Sequence, residues 1–141
     1  MLALDYGTKR IGMAVSDAEG EFAFPLGELD RRSLGRDLEA LAELAREREI
    51  VEVVVGLPLH LDGRPGDTAA AARKFAAAVA DATGLPVEML DERWTSREAE
   101  RALRESQPRR GKRQRAKLDA AAAAILLRTY LAQRSAAERQ A

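Results

Sequence analysis

Three acidic residues occupy positions where a carboxylate could serve a reactive site. Asp5 ends a short apolar segment and is followed by the turn-forming pair Tyr6-Gly7. Glu92 follows a second apolar segment, and Asp119 begins a run of alanines. Carboxylate oxygens are the ligands that Mg²⁺ and Mn²⁺ prefer, so these residues are candidates for a site of that kind.

Each of these carboxylates also has an ordinary structural interpretation. Asp5 could do no more than accept hydrogen bonds from the amides of its own turn. Asp91 and Glu92 precede a predicted helix, and Asp119 lies in the first turn of another, where the helix dipole favours acids. Either Asp91 or Glu92 could face a site. No single motif decides between the functional and the structural interpretation of these carboxylates.

Composition excludes several other kinds of site. The chain has no cysteine, so disulfides, thiol nucleophiles, iron–sulfur clusters and zinc held by cysteine are ruled out. His60 is the one histidine, which excludes a histidine-rich metal site. These exclusions leave carboxylates as the main candidate ligands for a metal site in this chain.

Hydrophobic periodicity predicts the elements that position these residues. The predicted strands are Leu2–Asp5, Ile11–Ser16, Glu21–Leu26, Val51–Gly56 and Pro86–Leu90. The predicted helices are Leu34–Arg48, Thr68–Thr83, Thr95–Glu105 and Ala116–Gln133. Three antiparallel strands followed by two strands with helical crossovers give an α/β fold with a mixed five-stranded sheet and helices on its faces. This order resembles that of the ribonuclease-H-like fold.

The length of 141 residues fits one domain, which we place at residues 1–134, with a frayed tail at 135–141. The longest apolar run, Ala120–Leu127, is too short to span a bilayer. The first residues show no basic region followed by a long apolar stretch, so we expect no secretory signal and a cytoplasmic protein.

The predicted topology brings the three carboxylates together. The first strand is central, the fifth lies near it, and the last helix covers that region, so Asp5, Glu92 and Asp119 are expected to converge. Such a site suits Mg²⁺ or Mn²⁺. Two such ions about 3.5–4 Å apart can activate a water and stabilise the leaving oxygen in phosphodiester hydrolysis. That chemistry needs no general base from the protein.

The charge distribution indicates the substrate. The formal net charge is zero, which by itself argues against a nucleic-acid partner. However, the segment Arg104–Lys117 carries seven basic residues and one acid, and it adjoins Asp119. We therefore expect this segment to attract backbone phosphates, although a solvated charged surface is the ordinary alternative. The predicted nucleic-acid contacts are Lys9, Arg10, Arg93, Arg109, Arg110, Lys112, Arg113, Arg115 and Lys117.

Taken together, four motifs resemble the YqgF family, also called RuvX, of ribonuclease-H-like proteins. They are Asp5-Tyr6-Gly7-Thr8-Lys9-Arg10-Ile11-Gly12, Gly56-Leu57-Pro58-Leu59, Asp91-Glu92-Arg93-Trp94-Thr95-Ser96 and Lys117-Leu118-Asp119-Ala120. They follow the family's order over nearly the whole chain. Trp94 departs from the pattern, since a smaller apolar residue is common there. The family's proposed catalytic carboxylates correspond to Asp5, Glu92 and Asp119.

The resemblance implies a metal-dependent endonuclease of structured nucleic acid. Two substrates are implied, the 5′ end of precursor 16S ribosomal RNA and the four-way DNA junction. Junction cleavage predicts a homodimer, whereas RNA trimming is compatible with a monomer. One alternative is a nucleotide-binding protein like actin or the sugar kinases, which share the pattern Asp-x-Gly-Thr but need two such domains. Another is a nucleic-acid-binding factor without catalysis.

Overall fold

The computed structural model of the chain describes residues 1–7, 9–57, 67–91 and 112–140. Within these residues the chain forms five strands and three helices. The strands are β1 (Leu2–Tyr6), β2 (Arg10–Ser16), β3 (Ala23–Asp30), β4 (Val53–Leu57) and β5 (Val87–Asp91). The helices are α1 (Leu34–Glu47), α2 (Asp67–Thr83) and α3 (Lys112–Gln140).

The strands form one mixed sheet in the order β3-β2-β1-β4-β5, which confirms the predicted α/β architecture. The first three strands are antiparallel neighbours, while β4 is parallel to both β1 and β5. The carboxyl ends of β1, β4 and β5 therefore meet at one edge of the sheet, which we call the carboxyl edge. In open α/β sheets, ligands bind at such an edge.

Strand β4 is buried on both faces, as its β-branched run predicts. Val53, Val54 and Val55 are each fully buried, and their side chains alternate between the two faces. The first face packs against α1 and α2, through Leu2, Leu4, Leu41, Phe75 and Val79. The second face packs against α3, through Ala3, Ala14, Ala123, Ala124 and Leu127. Because alanines stand on both sides of this second contact, α3 can approach the sheet closely.

Local signals set several boundaries between elements. Ser33 is the N-cap of α1, and its hydroxyl accepts a hydrogen bond from the backbone N–H of Arg36 at 3.3 Å. Gly84 ends α2 with φ +70°, a conformation that glycine adopts readily after the end of a helix. A turn at Asp17–Gly20 is closed by a hydrogen bond from the N–H of Gly20 to the carbonyl of Asp17 at 3.1 Å.

The predicted bounds of the third strand, Glu21–Leu26, are wrong. β3 extends to Asp30, which pairs with Arg10 at the far end of β2. The pairing contains a bulge: Gly27 pairs with Met13, whereas Pro25 pairs with Ala14. Gly27 has φ +140°, a conformation that glycine accepts readily. The glycine that signals a strand end in the sequence is thus part of a bulge within the strand.

The predicted bounds of the last helix are also wrong at both ends. α3 includes Lys112–Arg115, which we expected in a loop, and continues through Ser135–Gln140, which we expected to be frayed. The helix contains no glycine or proline that would end it, and an ion pair between Arg134 and Glu138 supports its last turns. The predicted helix Thr95–Glu105 lies outside the described residues. Among the described helices, none is long and apolar enough to cross a membrane.

Candidate active site

Asp5 lies near the carboxyl end of β1, the central strand of the sheet. It is partly buried and pairs with Gly12 of β2 on one side and with Gly56 of β4 on the other. Because side chains alternate along a strand, Asp5 projects on the same face as Ala3, which is the face covered by α3. Both partners of Asp5 in the neighbouring strands are glycines, so neither strand places a side chain directly beside its carboxylate.

The neighbouring strands end at the same level as β1. Asp5, Gly56 and Leu90 stand side by side on three adjacent strands. Leu90 is buried and packs in the cluster beneath α3, so the carboxyl ends of these strands share one covered face. Asp91 is the last residue of β5. Glu92 follows it in the sequence and lies outside the described residues, so its role stays a prediction.

Helix α3 carries Asp119 towards the same edge. The far half of the helix is fixed at the opposite end of the sheet, where the hydroxyl of Tyr130 donates to Oε1 of Glu52, just before β4. Eleven residues of helix separate Tyr130 from Asp119, about 16 Å at 1.5 Å per residue. The four residues from Glu52 to Gly56 cover about 13 Å of extended chain. The backbone at Asp119 is therefore expected level with Asp5, at the carboxyl edge.

Asp5 is the one proposed ligand whose side chain the structure describes. Among the described residues, no group of three acidic or histidine side chains is arranged to hold a metal ion. Asp119 is described by its backbone alone, and Glu92 lies in the part of the chain that is not described. The grouping of Asp5, Glu92 and Asp119 therefore stays a prediction, supported by the position of Asp5 and the course of α3.

The predicted nucleic-acid contacts fall into three groups. Lys9 is exposed in the turn between β1 and β2, whereas Arg10 forms an ion pair with Glu28, with 3.0 Å between Nε and Oε2. The carboxylate of Glu28 offsets much of the charge of Arg10, which makes Arg10 a weaker candidate than Lys9. Four predicted contacts lie on the first turns of α3, at Lys112, Arg113, Arg115 and Lys117. Arg93, Arg109 and Arg110 lie outside the described residues.

Sequence reasoning missed two residues that lie beside the turn after Asp5. Arg31 donates from Nη1 to the carbonyl oxygen of Gly7 at 3.0 Å, and Glu28 is the ion-pair partner of Arg10. Neither residue belongs to a recognisable motif, and both come to the site through the long pairing of β3 with β2. The ring of Tyr6, next to Asp5, lies under the guanidinium of Arg31, but no signal in the sequence links these two residues.

A cluster of charged groups occupies the other end of the sheet. Glu52 accepts hydrogen bonds from Tyr130 and Arg134, and together these three residues form what we call the α3 clasp. Burial, and then the hydrogen bond to Glu52, raises the pKa of Tyr130 to about 12. A cavity of about 690 Å³ lies beside the clasp, and its lining includes Asp17, Glu19, Glu49 and Glu138. This end is predominantly acidic and lies away from Asp5.

Known proteins share both the sequence and the fold. The RuvX family, described as Holliday junction resolvase, matches residues 1–133. A protein of Koribacter versatilis named "Putative pre-16S rRNA nuclease" is 46% identical over 134 residues, covering 95% of this chain and 87% of the relative. A protein of the same name from Myxococcus xanthus is 45% identical over 130 residues, covering 92% of this chain and 85% of the relative.

Two solved structures of the RuvC protein of Thermus thermophilus resemble this chain in fold. The first has a TM-score of 0.55 at 16% identity, and the second, in complex with a Holliday junction substrate, has a TM-score of 0.56 at 17% identity. Each comparison covers 94% of this chain and 96% of RuvC. At this identity the likeness shows the fold, and it confirms the ribonuclease-H-like arrangement. Because the family match spans nearly the whole sequence, the chain belongs to the RuvX family.

Proposed function

We propose that this protein is a divalent-metal-dependent endonuclease that hydrolyses phosphodiester bonds in structured nucleic acid. The observation that carries the proposal is the place of Asp5: a carboxylate on the central strand, flanked by two glycines, on the face covered by α3. Membership of a nuclease family supports the same conclusion. Asp5, Glu92 and Asp119 are the proposed catalytic carboxylates.

The donor set fits a hard cation. Carboxylate oxygens, with no cysteine and one histidine in the whole chain, favour Mg²⁺ or Mn²⁺ over softer metals. When bound, such an ion supplies an activated water and stabilises the leaving oxygen. Asp5 holds its carboxylate on the central strand, which is paired on both sides. Gly12 and Gly56, its partners in those pairings, add no side chain next to it.

The substrate we propose first is precursor 16S ribosomal RNA, trimmed at its 5′ end. This assignment rests on the names of the relatives, which are 45–46% identical to this chain. A four-way DNA junction is the second substrate, because the family's description and the likeness in fold to RuvC both point to it. Cutting a two-fold junction on both sides requires two sites, so a homodimer is part of that second proposal. Precursor ribosomal RNA as the substrate is consistent with a cytoplasmic protein.

A cleavage assay with carboxylate variants tests the proposal. Purified protein is incubated with Mg²⁺ or Mn²⁺ and either a precursor 16S leader or a four-way DNA junction. We expect Asp5→Asn, Glu92→Gln and Asp119→Asn each to lower the rate at least a hundredfold, because each removes a charged ligand. Asp81→Asn, at an exposed position on α2, is the matched control and should cut like the wild type.

The two parts of the proposal fail in different ways. Three variants that cut at the wild-type rate would show that the site is elsewhere. A wild-type protein that cuts neither substrate with either ion would overturn the nuclease activity itself. Circular dichroism of each variant checks that a lost activity does not come from a lost fold.

A further inference from the structure

Arg31 joins three parts of the molecule beside the turn that follows Asp5. Its side chain donates from Nη1 to the carbonyl oxygen of Gly7 at 3.0 Å. Its backbone N–H donates to the carbonyl oxygen of Lys9 at 2.9 Å. Its guanidinium also lies over the ring of Tyr6, with Cζ 4.6 Å from the ring centroid. Arg31, which directly follows β3, therefore contacts both ends of the turn between β1 and β2.

A backbone hydrogen bond closes the turn that Arg31 contacts. The N–H of Gly7 donates to the carbonyl of Arg10 at 3.0 Å, so the chain reverses within four residues. Tyr6 is fixed from a second direction, because its ring stacks on Phe75 of α2 with 4.6 Å between the centroids. The backbone directly after Asp5 is thus bound to β3 and to α2.

Two contacts of the Arg31 guanidinium are made with the two residues that follow Asp5. Tyr6 comes directly after Asp5 in the strand, so its side chain projects to the opposite face, where α1 and α2 pack. The guanidinium contacts the Tyr6 ring and the carbonyl of Gly7, and these two contacts act on Asp5 through the main chain.

We propose that Arg31 is a positioning residue for the metal-binding carboxylate of Asp5. The inference rests on the proposed function, and it deepens that proposal by naming a residue outside the carboxylate set. By clamping Gly7 and Tyr6, Arg31 fixes the backbone angles that aim the Asp5 side chain. Residues that hold ligands in place typically change metal affinity or activity by about 10–100-fold when they are removed.

The contacts require arginine rather than any cation. A planar guanidinium can lie flat on an aromatic ring while one of its N–H groups donates to a carbonyl. A lysine ammonium is a compact point charge and satisfies one of these contacts at a time. Arg31→Lys should therefore retain the positive charge but lose one of the two contacts. This variant separates the effect of the contact geometry from the effect of the charge.

The test compares Arg31→Ala and Arg31→Lys with Arg36→Ala, a loss of the same side chain at an exposed position on α1. The first measurement is Mn²⁺ affinity, with Asp5→Asn as the reference for a lost ligand. We expect Arg31→Ala to weaken Mn²⁺ binding about tenfold, Arg31→Lys to give an intermediate loss, and Arg36→Ala to match the wild type. Thermal unfolding of each variant shows whether it is folded at the assay temperature.

Two further measurements separate positioning from a general loss of stability. In the cleavage assay, Arg31→Ala should lower kcat about tenfold or more and leave KM within about twofold, because the substrate contacts are intact. Hydrogen exchange at the Gly7 amide should speed up in Arg31→Ala while exchange in β4 stays unchanged.

The outcomes distinguish this inference from the proposed function. If the wild type cleaves and Arg31→Ala has the same Mn²⁺ affinity and the same kcat, the positioning role is wrong and the nuclease stands. If the wild type cuts neither substrate, the nuclease proposal fails, and the Mn²⁺ measurement decides the inference. Wild-type Mn²⁺ affinity in Arg31→Ala overturns it in that case as well.

Discussion

At the scale of single residues, the turn after Asp5 leaves space for glycine alone. A Cβ built on Gly7 would lie 2.5 Å from the carbonyl oxygen of Arg10, which belongs to the backbone of β2 and cannot move aside. A Cβ built on Gly35, in the first turn of α1, would have nothing within 4 Å. An added methyl group would therefore clash with the backbone at Gly7 and meet open space at Gly35.

This difference gives a paired prediction for stability. Gly7→Ala should lower the free energy of unfolding by about 1–3 kcal/mol, the usual cost of forcing an extra carbon into a filled space. Gly35→Ala should raise it by up to about 1 kcal/mol, because alanine is the better helix former. Urea unfolding of both variants measures the two effects, and equal stabilities would contradict the role of Gly7 in the turn.

At the scale of elements, the α3 clasp fixes the helix that carries Asp119. Glu52 lies just before β4, and it binds both Tyr130 and Arg134 from the far half of α3. The phenol donates this hydrogen bond, so it must be protonated. The pKa of Tyr130 is raised to about 12, chiefly by burial, against about 10 in the unfolded chain.

The raised pKa predicts a loss of stability in alkali. A group whose pKa is higher in the folded state contributes stability that is complete below the unfolded pKa and is lost as the pH rises through the folded value. The contribution of Tyr130 should therefore be present below pH 10 and be lost between about pH 10 and 12.

Tyr130→Phe provides the measurement. The variant should be less stable than the wild type by about 1–2 kcal/mol at pH 8, where a hydrogen bond to a charged carboxylate is lost. The difference should shrink as the pH rises past 10, since the wild type loses the same bond. Urea unfolding at pH 8 and in alkali tests this, and a difference that stays constant with pH would count against the clasp.

The same scale shows which elements the sequence predicts well. Val53–Val55 are β-branched and fully buried, so the run by itself indicates a central strand. The end of β3 depends instead on its pairing with β2, because the bulge at Gly27 lets the strand continue past a glycine. Local sequence signals predict an element correctly when its neighbours in the fold do not change its bounds. They fail where pairing with another strand determines those bounds.

The candidate site also combines features that the sequence shows with features that only the folded chain shows. The identity and order of Asp5, Glu92 and Asp119 are visible in the sequence as motifs, and the sheet order places Asp5 and Asp91 at the same edge. The contacts of Arg31 are not visible, since they depend on how the end of β3 meets the β1–β2 turn. Motifs indicate the proposed catalytic carboxylates, while contacts such as those of Arg31 appear only once the chain is folded.

At the scale of the whole molecule, the net charge of zero is the sum of an acidic surface and a basic segment of the sequence. The cavity beside the α3 clasp is lined by a surplus of acids, including Glu19, Glu49 and Glu138. The segment Arg104–Lys117, which leads to Asp119, carries seven basic residues and one acid. We therefore expect a polyanion to be bound through the basic segment and repelled by the acidic surface.

The salt dependence of nucleic-acid binding tests this division of charge. Each lysine or arginine that neutralises a phosphate releases counterions, so it contributes about 0.7–0.9 to the slope of log affinity against log salt. Replacing Arg109, Arg110 and Arg113 together by alanine should lower the magnitude of that slope by about 2–3 and weaken binding most at low salt. The matched control replaces Arg36, Arg46 and Arg73, which are exposed on α1 and α2 and remove the same charge. If both triple variants change the slope equally, net charge governs binding; if only the first does, the phosphates are bound by the segment that leads to Asp119.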